Sequence, residues 1–574
     1  MRLEEQTYGY SRIMIVQIVL VILTAVQVNS QQLCPSVCQC SARIAQCTNL
    51  FSDVTNVTQD TFHPGFTFLE VTGSTRLELE EDLFLRWNIT SLTFLVLKEN
   101  NITKIWQQAF YSLADLETLD LDVNRITKLD SQTFYYNTRL QRLYLSRNSS
   151  TAIHPLIFQE NLILSYLRLG FNNIISLHPD LFKNNLELLA VGVEGNGLTD
   201  IHPSTFRNNR KLYEVNLSGN RIISIDPETF SQNWSLFNLF LSNNRITDVY
   251  PSTFRNRSSL INLDISRNKI TSLNPDTFIH NKHLRDLYLQ GNNITEISKS
   301  SFHGLENLQV LDLSNNNIGD LNPLVFQNIL TNTDRQNHQP SKLKYLNLAQ
   351  NMLRSFNFEL YFPMNSNSDT PNPTFQLQYL NLSSNRLTTL DVASMKWLNE
   401  TTAYIDLTQN LWNCDCSVLL EVWRGLKHKL TLHCASPREL QGKSWDMIEE
   451  FCYQASEDMN KESNSSSEAV RPTTILNDES ELSTQNGVPS VVKITLIVIG
   501  VVFVCAIVGC FILAKVAKRL RKRQKTPEYC DVYPARASRI SIHSYEEISL
   551  GTSQITDLFY ADVGVRPSYI TVQS

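Results

Sequence analysis

Asn recurs at positions 100, 124, 148, 172, 196, 220, 244, 268, 292 and 316, always 24 residues apart. The frame around it recurs as well: aliphatic residues eight, five and three before the Asn, one two after, and Phe ten after. Asn244, for example, has Leu236, Leu239, Leu241, Ile246 and Phe254. A period of this length means that each unit is one supersecondary element, unable to bury its apolar face until its neighbours stack on it. Leu239 and Leu241 share one side of an extended segment, so each unit supplies a short strand and the stack forms a parallel sheet. The Asn falls where the chain leaves that strand, and its amide has the donors and acceptor needed by backbone groups that the sheet no longer pairs. Stacked Asn form a polar ladder, and Phe110 through Phe326 form an apolar one on the return side.

The frame L-x-x-L-x-L-x-x-N-x-I resembles the leucine-rich repeat. That resemblance implies an α/β solenoid, a horseshoe whose concave face is a parallel sheet and whose variable residues stand between the Leu positions. Phe66, Leu69, Val71, Ser74 and Phe84 fit a degenerate first repeat with Ser in place of Asn. Ser150 replaces the aliphatic after Asn148, and Val191 and Val193 replace two Leu. Asn351, Asn385 and Asn410 follow at spacings of 35, 34 and 25. Two repeats therefore carry insertions, placed around Thr331–Ser341 and Pro363–Thr374, of a size that loops tolerate cheaply. About 13 to 14 repeats occupy residues 66–409.

The flanks point to export. Residues 1–30 read as a signal peptide, apolar from Ile13 to Val28 and ending in the small-residue site before Gln31. Arg2 and Arg12 are balanced by Glu4 and Glu5, so an uncleaved anchor is the alternative. Cys34, Cys38, Cys40 and Cys47 precede the repeats in residues 31–65; Cys414, Cys416, Cys434 and Cys452 follow them in residues 410–453. Each quartet in isolation is also a possible zinc site, but in an exported chain disulfides that staple the open ends of a solenoid are the better account. Four cysteines allow three pairings. The second quartet, with Asn410, Trp412, Trp423, Pro437, Leu440, Gly442 and Phe451, resembles the C-terminal cap of extracellular leucine-rich repeat proteins. Resemblance to such caps implies Cys34 with Cys40, Cys38 with Cys47, Cys414 with Cys434, and Cys416 with Cys452.

Residues 454–490 are rich in Ser, Asn and Glu and read as a stalk. Within residues 491–514, the stretch Ile494–Ala514 lacks any charge. As a helix it spans roughly 31 Å, enough to cross a bilayer. Lys515, Lys518, Arg519, Arg521, Lys522, Arg523 and Lys525 follow it, so the positive-inside rule places residues 515–574 in the cytoplasm and the repeats outside. Beside a membrane helix this basic run is a stop-transfer flank rather than a nucleic-acid patch. Eleven Asn-x-Ser/Thr sequons fit an extracellular setting. Asn148 is a ladder position and is expected unmodified. Asn216 and Asn381 lie on the concave face, where a glycan would obstruct binding. Asn56, Asn88, Asn101, Asn233, Asn256, Asn293, Asn399 and Asn464 are the expected acceptors.

A net charge of −6 gives no reason to expect a nucleic-acid partner. The sequence has no phosphate-binding Gly loop, no His-Glu-x-x-His and no Ser-centred elbow, so neither an enzyme nor a cofactor is expected. His154, His178 and His202 fill one slot in three adjacent repeats, each before Pro; a metal or pH role competes with a plain turn role. Arg142, Tyr144, Tyr166 and Arg168 hold variable strand positions of neighbouring repeats and form the expected ligand patch, Tyr and Arg being the residues of interface hot spots. Asp264, Asp286 and Asp312 make an acidic rival. In ectodomain the chain is similar to Toll-type, Slit-type and lamprey variable lymphocyte receptors. The resemblance implies a plasma-membrane receptor, single-pass and type I, that binds an extracellular protein or glycan in immunity or cell-cell contact. An adhesion protein whose tail serves only trafficking is the alternative.

Tyr529, Tyr545, Tyr560 and Tyr569 each have an aliphatic residue three positions on. Tyr545-Glu546-Glu547-Ile548 resembles the ligand of Src-family phosphotyrosine-binding (SH2) domains, and the sequence around Tyr560 resembles an immunoreceptor inhibitory motif. Phosphate adds a charge for an Arg pocket, and the aliphatic residue fills an apolar one. A phosphorylated peptide spanning 541–551 is expected to retain SH2 proteins from lysate, and Tyr545→Phe to abolish this. Retention of trafficking adaptors alone, by the unphosphorylated peptide, would contradict it.

Overall fold

The structure, a computed structural model, describes residues 34–50, 62, 64–75, 77–255, 259–322, 324–326, 329, 342–362, 377–414, 433–443 and 447–454. All lie in one compact unit, Met1–Glu468. The signal segment, both insertions, Cys416, the stretch Ile494–Ala514 and the tail fall outside the described residues. Among the described residues no helix is long and apolar enough to cross a membrane.

Among the described residues sixteen strands form one sheet in strict chain order, and after the opening hairpin each turn of the solenoid supplies one. A hairpin opens it, Cys38–Ser41 against Ile44–Thr48, the antiparallel pair of this sheet. Every later pairing is parallel and in register, so Leu239 sits between Val215 and Leu263. Strands are three residues long through most of the repeats, with the middle residue buried and its neighbours on the outer face. The helical component is small: Leu83–Arg86, Phe358–Tyr361, Val392–Glu400 and residues 447–454 are α-helical, while most of the other described return segments are successive turns.

Asn amides hold this geometry. Asn244 Nδ2 donates to the carbonyls of Leu217 (2.9 Å) and Leu241 (3.0 Å), and its Oδ1 accepts from Ile222 N–H at 3.0 Å. One side chain thus ties the end of its own strand to two backbone groups of the preceding repeat. The departures keep the pattern. Ser74 uses its N–H to reach Asn100 Oδ1 at 2.9 Å, and Ser150, buried in an aliphatic slot, donates its hydroxyl to Ile126 O at 3.2 Å. Ile318 N–H reaches Asn351 Oδ1, and Leu353 N–H reaches Asn385 Oδ1, both at 3.0 Å, so the ladder runs across the insertions unbroken.

The return side carries two ladders. Phe84, Phe110, Phe134, Phe158, Phe182, Phe206 and Phe230 stack successively with ring centroids 5.6–6.4 Å apart. Three residues beyond these Phe runs a second Asn series that the sequence reading missed: Asn137, Asn161, Asn185, Asn209, Asn233 and, further on, Asn281. Asn185 Nδ2 donates to Phe158 O at 3.0 Å and Asn161 O at 2.9 Å, satisfying carbonyls that tight turns leave without partners. Turns fixed in this way need no helix.

Disulfides close the ends. Cys34 is bonded to Cys40, Cys38 to Cys47 and Cys414 to Cys434. Cys452 is buried and disulfide-bonded, and Cys416, expected to pair with it, lies outside the described residues. Trp412 is buried beneath the second cap and donates its indole N–H to Leu407 O at 3.1 Å.

Replacing a ladder Asn should therefore cost more than one hydrogen bond. Asn220→Ala leaves Leu198 N–H and the Val193 and Leu217 carbonyls without their partner. A loss of at least about 2 kcal/mol is expected in urea unfolding, because buried polar groups are left unpaired. Ser218→Ala, on the outer face, removes only the acceptor of the Ser242 hydroxyl at 3.1 Å and should cost about 1 kcal/mol or less.

Candidate functional site

Leu143 and Leu167 are buried at the centres of adjacent strands, so the residues on either side of each must face outward. The parallel register sets Arg142 opposite Tyr166 and Tyr144 opposite Arg168. Charges and rings therefore cross. The Arg142 guanidinium lies 5.6 Å from the Tyr166 ring centroid, and that of Arg168 lies 5.2 Å from the Tyr144 ring. A third pair, Arg147 over Phe171 at 4.9 Å, extends the cluster to the end of the strands. Arg147 and Phe171 stand where the chain takes positive φ (55° and 53°), a slot filled in later repeats by Gly195, Gly219 and Asn243. The structure thus brings together all four residues singled out from the sequence and adds Arg147 and Phe171. Cation–π contact holds each guanidinium above a ring.

Acidic groups line both flanks of this cluster. Asp120 stands opposite Tyr144 on the preceding strand, and burial pushes its carboxyl up, against the lowering effects of the Asp122 N–H, Lys98 and Arg168. On the other flank, strand Ala190–Gly192 offers only small side chains, and the Glu194 carboxylate occupies the space they leave. A Cβ on Gly170 would sit 2.3 Å from Glu194 Oε1, and one on Gly192 would sit 2.8 Å from Oε2, so a side chain at either position would make the Glu194 carboxylate shift. Burial raises the Glu194 and Glu214 carboxyls, and Arg168 opposes the shift in each case. Burial also raises the Tyr144 hydroxyl, which stays a neutral donor.

Other sequence candidates resolve differently. His154, His178 and His202 each accept through Nδ1 from the N–H two residues on, at 3.2, 3.1 and 3.1 Å. Asp130 and Asp226 make the same bond in the same slot, which identifies it as a turn-capping position. Among the described residues no group of three or more His, Cys, Asp or Glu is placed to hold a metal ion. Asp264 and Asp312 cap turns as well, accepting from Ser266 N–H at 3.0 Å and Ser314 N–H at 2.9 Å.

Asn233 is corrected from an expected glycan acceptor to a ladder residue. It is 2 % exposed, and its amide donates to Phe206 O at 2.9 Å and Asn209 O at 2.7 Å. Asn148 is buried in the first ladder. Asn88, Asn101, Asn293 and Asn399 are exposed. Asn56, Asn256, Asn464 and the four tail tyrosines, Tyr529, Tyr545, Tyr560 and Tyr569, lie outside the described residues.

The sequence model of the family described as leucine rich repeat matches residues 90–149, 184–246, 234–294 and 282–332, and a second one matches 376–398. The chain belongs to the leucine-rich repeat family. Nephrocan of Mus musculus is 43 % identical over 74 residues, which are 12 % of this chain and 14 % of nephrocan. Among solved structures, the TLR13–ssRNA13 complex aligns with TM-score 0.51 and 23 % identity, covering 65 % of this chain and 55 % of that one. The glycosylated form of the Toll–Spatzle complex, from Drosophila, aligns with TM-score 0.50 and 20 % identity, covering 67 % and 57 %. At these identities the likeness establishes the leucine-rich repeat fold, and the chain spans little more than half of either protein.

Burial of Glu194 gives a pH test of the acidic flank. A raised carboxyl holds its proton in the folded chain where the unfolded chain has released it, so stability falls as pH rises through that window. Glu194→Gln should melt above the wild type at neutral pH, and the gap should close below about pH 4, where the carboxyl is protonated in both states. A gap of the same size at both pH values would contradict the assignment.

Proposed function

We propose that the protein is a single-pass type I cell-surface receptor that binds an extracellular protein or glycan on its sheet face and signals through tyrosine phosphorylation of its tail. The crossed Arg–Tyr cluster of Arg142, Tyr144, Tyr166 and Arg168 is the observation that carries the reading. Its residues face outward, and the cation–π pairs hold long side chains in place before any ligand arrives, which lowers the ordering cost of binding. Two proteins of this fold were solved as complexes, one with Spatzle and one with ssRNA13. For this chain the net negative charge favours a protein or glycan over a nucleic acid. The cap disulfides suit an exported domain, and the basic run after Ile494–Ala514 supports an inward-facing tail. The reading needs neither catalysis nor a cofactor.

The test screens extracellular proteins and glycans for binding to the full-length protein and then reverses the patch. Arg142→Glu with Arg168→Glu should weaken binding of the ligand so identified by a factor of about 100 or more, the loss expected on removing hot-spot residues. Unchanged binding would overturn the placement of the site.

A further inference from the structure

Eight successive strands of the main sheet, from Glu214–Asn216 to Tyr404–Asp406, present a second surface of different chemistry. In most of them the first and third residues and the residue two further on stand on the outer face. These positions include the part-exposed Asp264, Asp286, Asp312 and Asp406 and the buried Glu214, and no Lys, Arg or His. Arg267, Arg285 and Lys344 occupy flanking positions of the frame.

The fold accounts for Glu214, which accepts from Asn238 Nδ2 at 3.1 Å, but not for the charges at Asp264 and Asp406. Asp264, Asp312 and Asp406 each use Oδ1 to accept from the N–H two residues on, at 3.0, 2.9 and 2.9 Å. Asn216, Asn347 and Asn381 do the same in equivalent positions at 3.1, 3.1 and 2.9 Å. A neutral amide serves the turn as well as a carboxylate, so the turns need no negative charge at Asp264 and Asp406, whereas Asp312 also accepts through Oδ2 from Asn347 Nδ2 at 3.1 Å. At the end of this surface the rings of Tyr345, Tyr379 and Tyr404 stack, with centroids 4.5 and 5.5 Å apart and planes within 1° and 12°. Stacking covers the inner ring faces, which gives a sugar no flat platform along the column. Tyr404, 62 % exposed, ends it, and Asp406 projects from the same side of the same strand. An aromatic ring beside a carboxylate is the complement of a guanidinium or ammonium group.

We propose that this half of the sheet face binds an extended, Arg- or Lys-bearing segment of a protein, anchored at Tyr404, Asp406 and Asp312. It is a different site from the Arg–Tyr cluster and stands or falls independently of it. An acidic surface also draws a cationic segment in by long-range attraction, which weakens with salt.

The test uses the full-length protein in detergent, carrying Ser383→Ala so that the sequon at Asn381 is removed while Asn381 stays. Fluorescence anisotropy follows a labelled peptide of alternating Arg and Ser. Saturable binding is expected, weakened about tenfold or more by Asp264→Asn, Asp312→Asn and Asp406→Asn together, since charge-assisted bonds are lost while the turn bonds are kept. Asp115→Asn with Glu187→Gln removes two carboxylates that pair with Arg139 and Lys211 elsewhere, and should leave affinity within about twofold. Tyr404→Leu and Asp406→Asn, each made singly, should weaken binding about threefold, which keeps the test decisive should the triple variant not fold. No saturable binding, unchanged affinity in the strip variants, an equal loss in the Asp115 and Glu187 control, or retention of neutral oligosaccharides in preference to the peptide would each overturn the proposal.

Discussion

One carboxamide per repeat holds successive turns together where the sheet stops. The strands are three residues long, too short to pair much of the backbone in each 24-residue unit. Buried N–H and C=O groups beyond them need partners inside the protein, since leaving one unpaired costs about 1–3 kcal/mol. An Asn side chain carries donors and an acceptor on one rigid plane and can serve several such groups across two repeats. Both Asp and Leu lack this combination at neutral pH. The constant spacing of Asn is thus a record of where the backbone must be satisfied, and the outward strand residues are free to vary because they take no part in it.

The return side solves the same problem with a second Asn series and a column of Phe rings. Hydrogen bonds satisfy the turns, while stacked rings fill the space between them. This arrangement has a consequence for modification. Asn148 and Asn233 begin sequons, yet each amide nitrogen donates to backbone carbonyls in the interior, so a glycan would require that repeat to open.

Much of this was legible because it depends on position within a period. Leu239 and Leu241 mark a strand, Asn244 marks its exit, and the residues between them mark the outer face. The same logic gathered Arg142, Tyr144, Tyr166 and Arg168, since equal positions in adjacent repeats become neighbours. It did not reveal that charge and ring would cross, because that depends on strand register and rotamer. Asn137 through Asn233 also recur at the 24-residue period and were open to discovery, but they sit outside the Leu frame that drew attention. Nothing in the repeat frame marks Gly170 and Gly192, because the space beside them is filled by the Glu194 carboxylate, whose position depends on its rotamer. His154, His178 and His202 stood out by chemical type, although their backbone contacts are those that Asp130 and Asp226 make equally well.

If Asn amides are the clamps between repeats, the backbone groups they hold should be among the best protected in the protein. Hydrogen exchange on the full-length chain tests this at Ile246, Ile270 and Ile294, whose N–H groups donate to Asn268, Asn292 and Asn316 at 3.0, 3.1 and 3.0 Å. These amides lie beyond the main-sheet strands, so their protection depends on the side-chain amide. The account predicts that they exchange as slowly as the central strand residues Leu239 and Leu263. Exchange at the rate of an unstructured peptide would contradict it.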